Sequence, residues 1–287
     1  MVRPLLVLLA LLVAAPAAAR DLTIATWNIA WLTTKPTGHP ALPQFVRGRT
    51  EADFAVLRRY ATVLGADVVA VQEIDGPLAL AKVFDQQAYA FHLTNEADTQ
   101  RPGFAIRRGV RFRANPDLVA LDLAPEARNS LRRGADITVE HEGRSIRLLS
   151  IHLKAGCARD RLADPQRFDC VQLGRQVPVL ARWIREREAE GVAYAILGDF
   201  NREFDERDDM LRSLTQAGEV SRANAARSSP CWGGGRAFID HILLGGPARG
   251  WMLADSLRVL VYRETDREAR ERLSDHCPVR VTLRPAG

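Results

Sequence analysis

What most constrains the fold of this 287-residue chain is a recurrence: apolar, strand-like runs that each end in an acid, an amide or an imidazole. Ile24 precedes Trp27-Asn28, Val68 to Val71 precede Gln72-Glu73, Ile146 to Ile151 precede His152, and Ala195-Ile196-Leu197 precede Gly198-Asp199-Phe200-Asn201. Ile239-Asp240-His241 and Ser274-Asp275-His276 add further groups of the same kind. One such group is ordinary turn or cap chemistry. The set requires a fold whose strand ends converge, which is how an α/β enzyme assembles a site.

Side-chain direction sharpens the reading. Residues i and i+2 of a strand share a side, so Asp199 and Asn201 are expected to face one pocket. By the same rule Lys154 shares the side of His152, as a phosphate-side cation or as a solvated lysine. His241 points opposite to Asp240 and reads as structural. His39, His92 and His141 lack such settings and read as surface or loop residues.

The order along the chain is that of mixed α/β structure. A strand opens at Leu22 to Thr26. Thr50 can cap a helix whose apolar face is Phe54, Leu57, Ala61 and Leu64, closed by Gly65-Ala66-Asp67 ahead of a buried strand at Val68 to Val71. Strands are expected at 90–93, 104–107, 137–140 and 146–151, the last two forming a hairpin across His141-Glu142-Gly143-Arg144. Leu173, Val177, Leu180 and Ile184 mark a helix near 172–187, where Pro178 predicts a kink or a later start. A short helix at 209–217 and strands at 238–244 and 279–283 complete the series. No linker divides the chain, so residues 20–287 are expected to form one domain, and a 47% hydrophobic composition is ample for its core.

The N-terminus reads as a secretory signal over residues 1–19: Arg3, the apolar run Leu5 to Val13, and the small-residue cleavage site Ala17-Ala18-Ala19. The run is too short to span a membrane, and no later segment is long enough. An exported protein, periplasmic or secreted, permits disulfides among its four cysteines. Cys157 and Cys170 bracket a polar excursion and are expected to be bridged. Cys231 and Cys277 either pair or leave Cys277 as a packed thiol. The formal net charge of +5, carried largely by arginine, suits an anionic partner without requiring one.

Hydrolysis of a phosphate ester, one chemistry that an anionic partner would bring to such a set, would give these residues roles. Glu73, a hard carboxylate at a strand end, is the best ligand for Mg²⁺, with Mn²⁺ as an alternative, because Mg²⁺ keeps several waters and needs only one or two protein carboxylates. His276 is the candidate general base, and Asp240 is either its orienting carboxylate or a cap on His241.

Gly198-Asp199-Phe200-Asn201 and Ser274-Asp275-His276-Cys277-Pro278-Val279 resemble motifs of the endonuclease/exonuclease/phosphatase superfamily, and the likeness extends from about Leu22 to Leu283. The resemblance implies a two-layer β-sandwich flanked by helices, the DNase-I-like αββα arrangement, with a divalent-metal phosphoesterase site at one edge. It implies that Asn28 and Asp275 complete or flank the metal shell and that His152 contacts the scissile phosphate or helps protonate the leaving group. Asp199 and Asn201 would orient the attacking water and hold a phosphate oxygen. A nuclease acting endonucleolytically on DNA, monomeric by default, is the first expectation. A phosphatase or lipid phosphodiesterase of the same superfamily, or an inactive binding module, are the others.

Overall fold

The computed structural model describes residues 20–127, 130–163 and 165–285; the expected secretory signal, residues 1–19, lies outside them. In chain order the elements are β1 (Leu22–Leu32), α1 (Glu51–Leu64), β2 (Val68–Ile74), α2 (Pro77–Ala81), β3 (Tyr89–Leu93), β4 (Arg101–Arg107), β5 (Arg111–Ala114), β6 (Ala135–His141), β7 (Arg144–His152), α3 (Phe168–Glu190), β8 (Ala193–Asp199), α4 (Asp209–Ala217), β9 (Val220–Arg222), β10 (Asp240–Gly245), β11 (Arg258–Val259), α5 (Arg267–Arg272) and β12 (Val279–Leu283). They form two six-stranded sheets, ordered β11-β12-β1-β2-β4-β3 and β5-β6-β7-β8-β10-β9.

Each sheet has one parallel pair at its centre. β1 and β2 run parallel, joined through α1, and β7 and β8 run parallel, joined through α3. Local chemistry sets these connections. Thr50 caps α1 in a full capping box with Asp53, and Gly65 ends it in the left-handed region at φ 58°. The β6–β7 hairpin turns through Glu142 and Gly143, both at positive φ, with His141 opposite Arg144.

Alternation then sorts the side chains into layers. Ile24, Val68, Phe104 and Ile106 of one sheet meet Ile137, Leu148, Leu197 and Ile242 of the other to form the central core. The outer face of the first sheet packs through Trp27, Val69 and Val71 on Phe54, Leu57 and Leu64 of α1. The second packs through Leu149, Ile151 and Ile196 on Leu173, Leu180 and Ile184 of α3. This is the expected four-layer α/β sandwich.

Three local expectations need correction. α3 begins at Phe168 and runs through Pro178, so its start lies before that proline. The predicted strand at 238–244 occupies 240–245. His92 is neither a loop residue nor fully exposed; it lies half-buried within β3. Both cysteine pairs are bridged, Cys157 to Cys170 and Cys231 to Cys277. Among the described residues no helix is long and apolar enough to cross a membrane.

Candidate active site

Strand register brings the polar residues together. His152 ends β7 opposite Asp199 at the end of β8, and Asp199 is in turn opposite Asp240 at the start of β10. Three functional groups therefore stand abreast on neighbouring strands of one sheet. The approach of β7 to β8 here depends on Gly198, because a Cβ at that position would meet the Ile151 carbonyl oxygen at 2.1 Å. On the other sheet Asn28 of β1 is abreast of Gln72 of β2. The buried Gln72 amide donates to Ser150 of β7 at 3.0 Å, so a polar bond ties the two sheets directly behind the site.

Glu73 reaches the site by a different device. The β2 register breaks between Val71 and Ile74, and Glu73 has φ 63°, so the bulge re-aims its side chain. Its carboxylate accepts from the Asn28 amide at 3.0 Å and from the Trp31 backbone N–H at 2.9 Å. The same Asn28 nitrogen donates to Asp199 Oδ2 at 3.0 Å, while the Asn28 oxygen accepts from the Ala30 N–H at 2.9 Å. Asn28 thus clamps two carboxylates. Ala30, Trp31, Glu73 and Asn201 all have positive φ, a cost that only surrounding contacts can hold. Arg49 supplies such contacts, donating to the carbonyls of Ile29, Ala30, Trp31, Arg272 and Leu273 at 2.7 to 2.9 Å. Its burial lowers its pKa to about 10, which still leaves it charged at neutral pH.

His276 sits between two acids. Its Nδ1 lies 2.8 Å from Asp240 Oδ2, and its Nε2 lies 3.7 Å from Asp199 Oδ2. Its backbone N–H donates to Ser274 Oγ, whose hydroxyl donates to the Asn28 carbonyl at 2.8 Å, which fixes the histidine loop to β1. His152 Nε2 is 3.7 Å from both Glu73 Oε1 and Asp199 Oδ2. Burial opposes a charged His276, yet the Asp240 and Asp199 carboxylates overcome it and hold its pKa well above the ordinary imidazole value. Burial, reinforced by the charges of Arg132 and His276, pushes His152 well below that value, so it is neutral. Burial also pushes Asp199 up to about 7.

Glu73, His152, Asp199 and His276 line one cleft of about 1430 Å³, together with Asn201, Lys154 and Asp275. The chemistry of the donor set suits a hard divalent cation. Glu73 offers a carboxylate to the cleft at 12% side-chain exposure, and Asp275 is half-exposed at its rim. Among the described residues two groups bring their ligating atoms within 4.8 Å of one another: Asp199, Asp240 and His276, and Cys157, Asp160 and Cys170, whose sulfurs are joined in a disulfide; Glu73 and Asp275 belong to neither.

Not every expectation of direction holds. Asn201 shares the cleft with Asp199 as expected, but from a turn and not by strand alternation, since β8 ends at Asp199 and Asn201 has φ 52°; its amide donates to the Leu153 carbonyl and its N–H to Asp199 Oδ1. Lys154 follows the end of β7, and its ammonium pairs with Asp169 at 2.6 Å, so it is not a free phosphate-side cation. Asn28 turns its oxygen to the backbone and its nitrogen to Glu73, which makes it an orienting group in this geometry. His241 is structural as expected: its ring lies between Asn224 and the Arg202 carbonyl and stacks on Phe204. Sequence reasoning missed Arg49 and Arg132 as site residues. Arg132 reaches the Leu153 carbonyl at 3.2 Å and lines the cleft.

The comparisons agree with this architecture. TDP2 from Caenorhabditis elegans in a truncated form superposes with a TM-score of 0.61 at 14% identity, over 92% of this chain and 97% of that chain. The catalytic domain of human Nocturnin with a bound sulfate anion gives 0.61 at 14% identity, over 93% of this chain and 94% of that one. TDP2 from D. rerio, complexed with a single strand DNA product, gives 0.57 at 18% identity, over 92% and 99%. A search of curated proteins finds no significant sequence match. The model of the Endonuclease/Exonuclease/phosphatase family matches residues 25–276, from β1 to the histidine beside Asp240, and the chain belongs to that family of phosphoesterases and nucleases.

Proposed function

We propose that the protein is an exported, Mg²⁺-dependent phosphodiesterase that cleaves DNA endonucleolytically with little sequence preference. The observation that carries this reading is His276, fixed on Asp240 at 2.8 Å and aimed past Asp199 into a cleft shared with Glu73. Glu73, oriented by Asn28 and with Asp275 at the rim, would hold the cation, which supplies positive charge against the phosphate oxygens. The net charge of +5 suits the polyanion, and a TDP2 relative is described with single strand DNA.

In the reaction a water oxygen forms a bond to phosphorus as the bond to the leaving oxygen breaks. Above its raised pKa, where the ring is neutral, His276 takes the water proton on Nε2 while Asp240 keeps the ring oriented and stabilises the imidazolium that results. Asn201 and the N–H face of His152 hold phosphate oxygens. His152, kept neutral by burial, is a poor acid for the leaving oxygen, which departs as an oxyanion and takes its proton from solvent. A second reading has an observation of its own: Asp199, at about 7, is itself poised to accept a proton, with His276 as a cation against the phosphate. The pH profile separates them. A His276 base gives a rate that climbs through the raised imidazole pKa, whereas an Asp199 base gives a rise near 7 and a fall above it.

Export rests on the leader-like residues 1–19 and is consistent with two disulfides. Incubating the purified mature protein and Mg²⁺ with plasmid DNA, RNA, inositol polyphosphates and sphingomyelin tests the assignment. Nicking of DNA supports it; turnover confined to a phosphomonoester or a lipid headgroup moves the protein to the other expected branches of the family.

A further inference from the structure

One large apolar side chain is out of place for a soluble cleft. Of the large hydrophobic residues exposed among the described residues, Phe45, 74% exposed, is the one that lines the cleft. Its ring stands edge-on to Trp31 at 6.1 Å between centroids. Trp31 is half-buried, lines the same cleft, and holds Glu73 through its backbone N–H. The aromatic pair therefore begins one residue contact away from the candidate metal ligand.

The pair is held in place rather than left on a loose loop. Arg49 binds the carbonyls of Ile29, Ala30 and Trp31 on one side and those of Arg272 and Leu273 on the other, tying the segment that carries Phe45 to both β1 and the end of α5. Arginines share the cleft with the rings. Arg47, Arg267 and Arg270 line it; Glu271 lies 4.0 Å from Arg47 and 3.1 Å from Arg267, and of the other lining acids Glu73, Asp199 and Asp275 belong to the candidate catalytic centre, which leaves Asp98. An exposed flat ring beside arginines matches a ligand that is itself flat on one part and anionic on the next. That is the chemistry of a nucleotide within a strand.

We infer that Phe45, braced edge-on by Trp31, is a stacking platform for an unpaired nucleobase next to the scissile phosphate, so that single-stranded nucleic acid is the preferred substrate. This rests on the nuclease reading and narrows it. A base inside a duplex is covered on both faces by its neighbours and offers no face to Phe45. A base in a single strand, or at a frayed end, does. Stacking of one base on an aromatic side chain is worth roughly 5-fold to 150-fold in affinity.

The test uses two single-stranded oligonucleotides, one intact and one with abasic residues around the cleavage position, together with the intact strand annealed to its complement. The native protein should cleave the intact strand with a KM about tenfold or more below that for the abasic strand and for the duplex. Phe45→Ala should raise the KM for the intact strand to the abasic level, and Phe45→Tyr should restore it. Equal KM values for intact and abasic strands in the native protein, or an equal loss on both in Phe45→Ala, would overturn the platform. A binding arm keeps this outcome separate from failure of the nuclease reading. Quenching of 2-aminopurine in a short single strand, read in EDTA, should weaken about tenfold in Phe45→Ala whether or not any strand is cut. Cleavage of nothing, with quenching intact, sinks the nuclease and leaves the platform; unchanged quenching in Phe45→Ala sinks the platform.

Discussion

Replacing His276 by alanine, alone and together with Asp240→Asn, separates catalytic coupling from electrostatic support. The native pair is 2.8 Å apart, with both side chains only 11% exposed, and Asp199 lies 3.7 Å from the far ring nitrogen. Removing the ring leaves Asp240 and Asp199 as neighbouring buried acids with no cation between them. Breaking one buried pair in this way costs about 3 kcal/mol or more, and for a chain of this size that lowers Tm by roughly 6–12 °C. Neutralising Asp240 in the double variant removes one of the two stranded charges, so the double variant should melt above His276→Ala. Activity should behave in the opposite sense. Each single change should lower kcat by roughly 10²-fold to 10⁴-fold, and the double variant should be little worse than the poorer single, because groups acting as one unit are not additive. Thermal melts in EDTA and kcat on a DNA substrate in Mg²⁺ give both readouts. A double variant that lost the product of the two single effects, or one that melted below His276→Ala, would refute the proposed coupling.

Other expectations follow from the same geometry. His276 has a folded pKa above its ordinary value, so its contribution to stability is complete below about pH 6.5 and lost as pH rises through the raised value. Asp199, raised to about 7, acts in the same direction because ionising it in place is costly between roughly pH 4 and 7. Buried neutral His152 and His241 push the other way up to about pH 6.5, so the window that isolates His276 lies above it: metal-free protein should lose Tm as pH rises from 7 to 9, and His276→Ala should not; a rise in the native protein there would contradict the His276 shift. Non-reducing peptide mapping should recover Cys157 joined to Cys170 and Cys231 joined to Cys277, with loops of 13 and 46 residues contributing about 3 and about 4 kcal/mol by chain closure. Free thiols at either pair in protein isolated from an oxidising compartment would count against it.

The fold was legible in this sequence where one face of an element is buried and periodicity carries the signal. α1, α4, β12 and the β6–β7 hairpin fall close to their expected places for that reason. Which residues meet in the candidate site was legible where they end a strand, as His152 and Asp199 do; Asp240 instead opens β10 and His276 precedes β12. Their directions were less so. Strand alternation explains why His241 and Asp240 part company, yet it does not explain Glu73, which a bulge turns toward the cleft, or Asn201, which a left-handed turn places there. Lys154 falls beyond the last ladder position and answers to Asp169 on α3, a long-range partner that no local pattern encodes. Arg49 is the clearest case of what periodicity hides. Its role consists of five bonds to backbone carbonyls, which leave no trace in the identity of the residues that accept them.

The central claim, that these strand ends form a metal-dependent phosphodiesterase site, is tested most directly by titrating divalent metal into protein stripped with EDTA and following DNA cleavage in the native chain and in Glu73→Gln. The native protein should be inactive in EDTA and recover fully with Mg²⁺ or Mn²⁺, while Glu73→Gln, folded to the same degree by thermal melt, should need far more metal and reach a lower rate. Full cleavage in EDTA, or a Glu73→Gln titration that overlays the native one, would contradict the assignment.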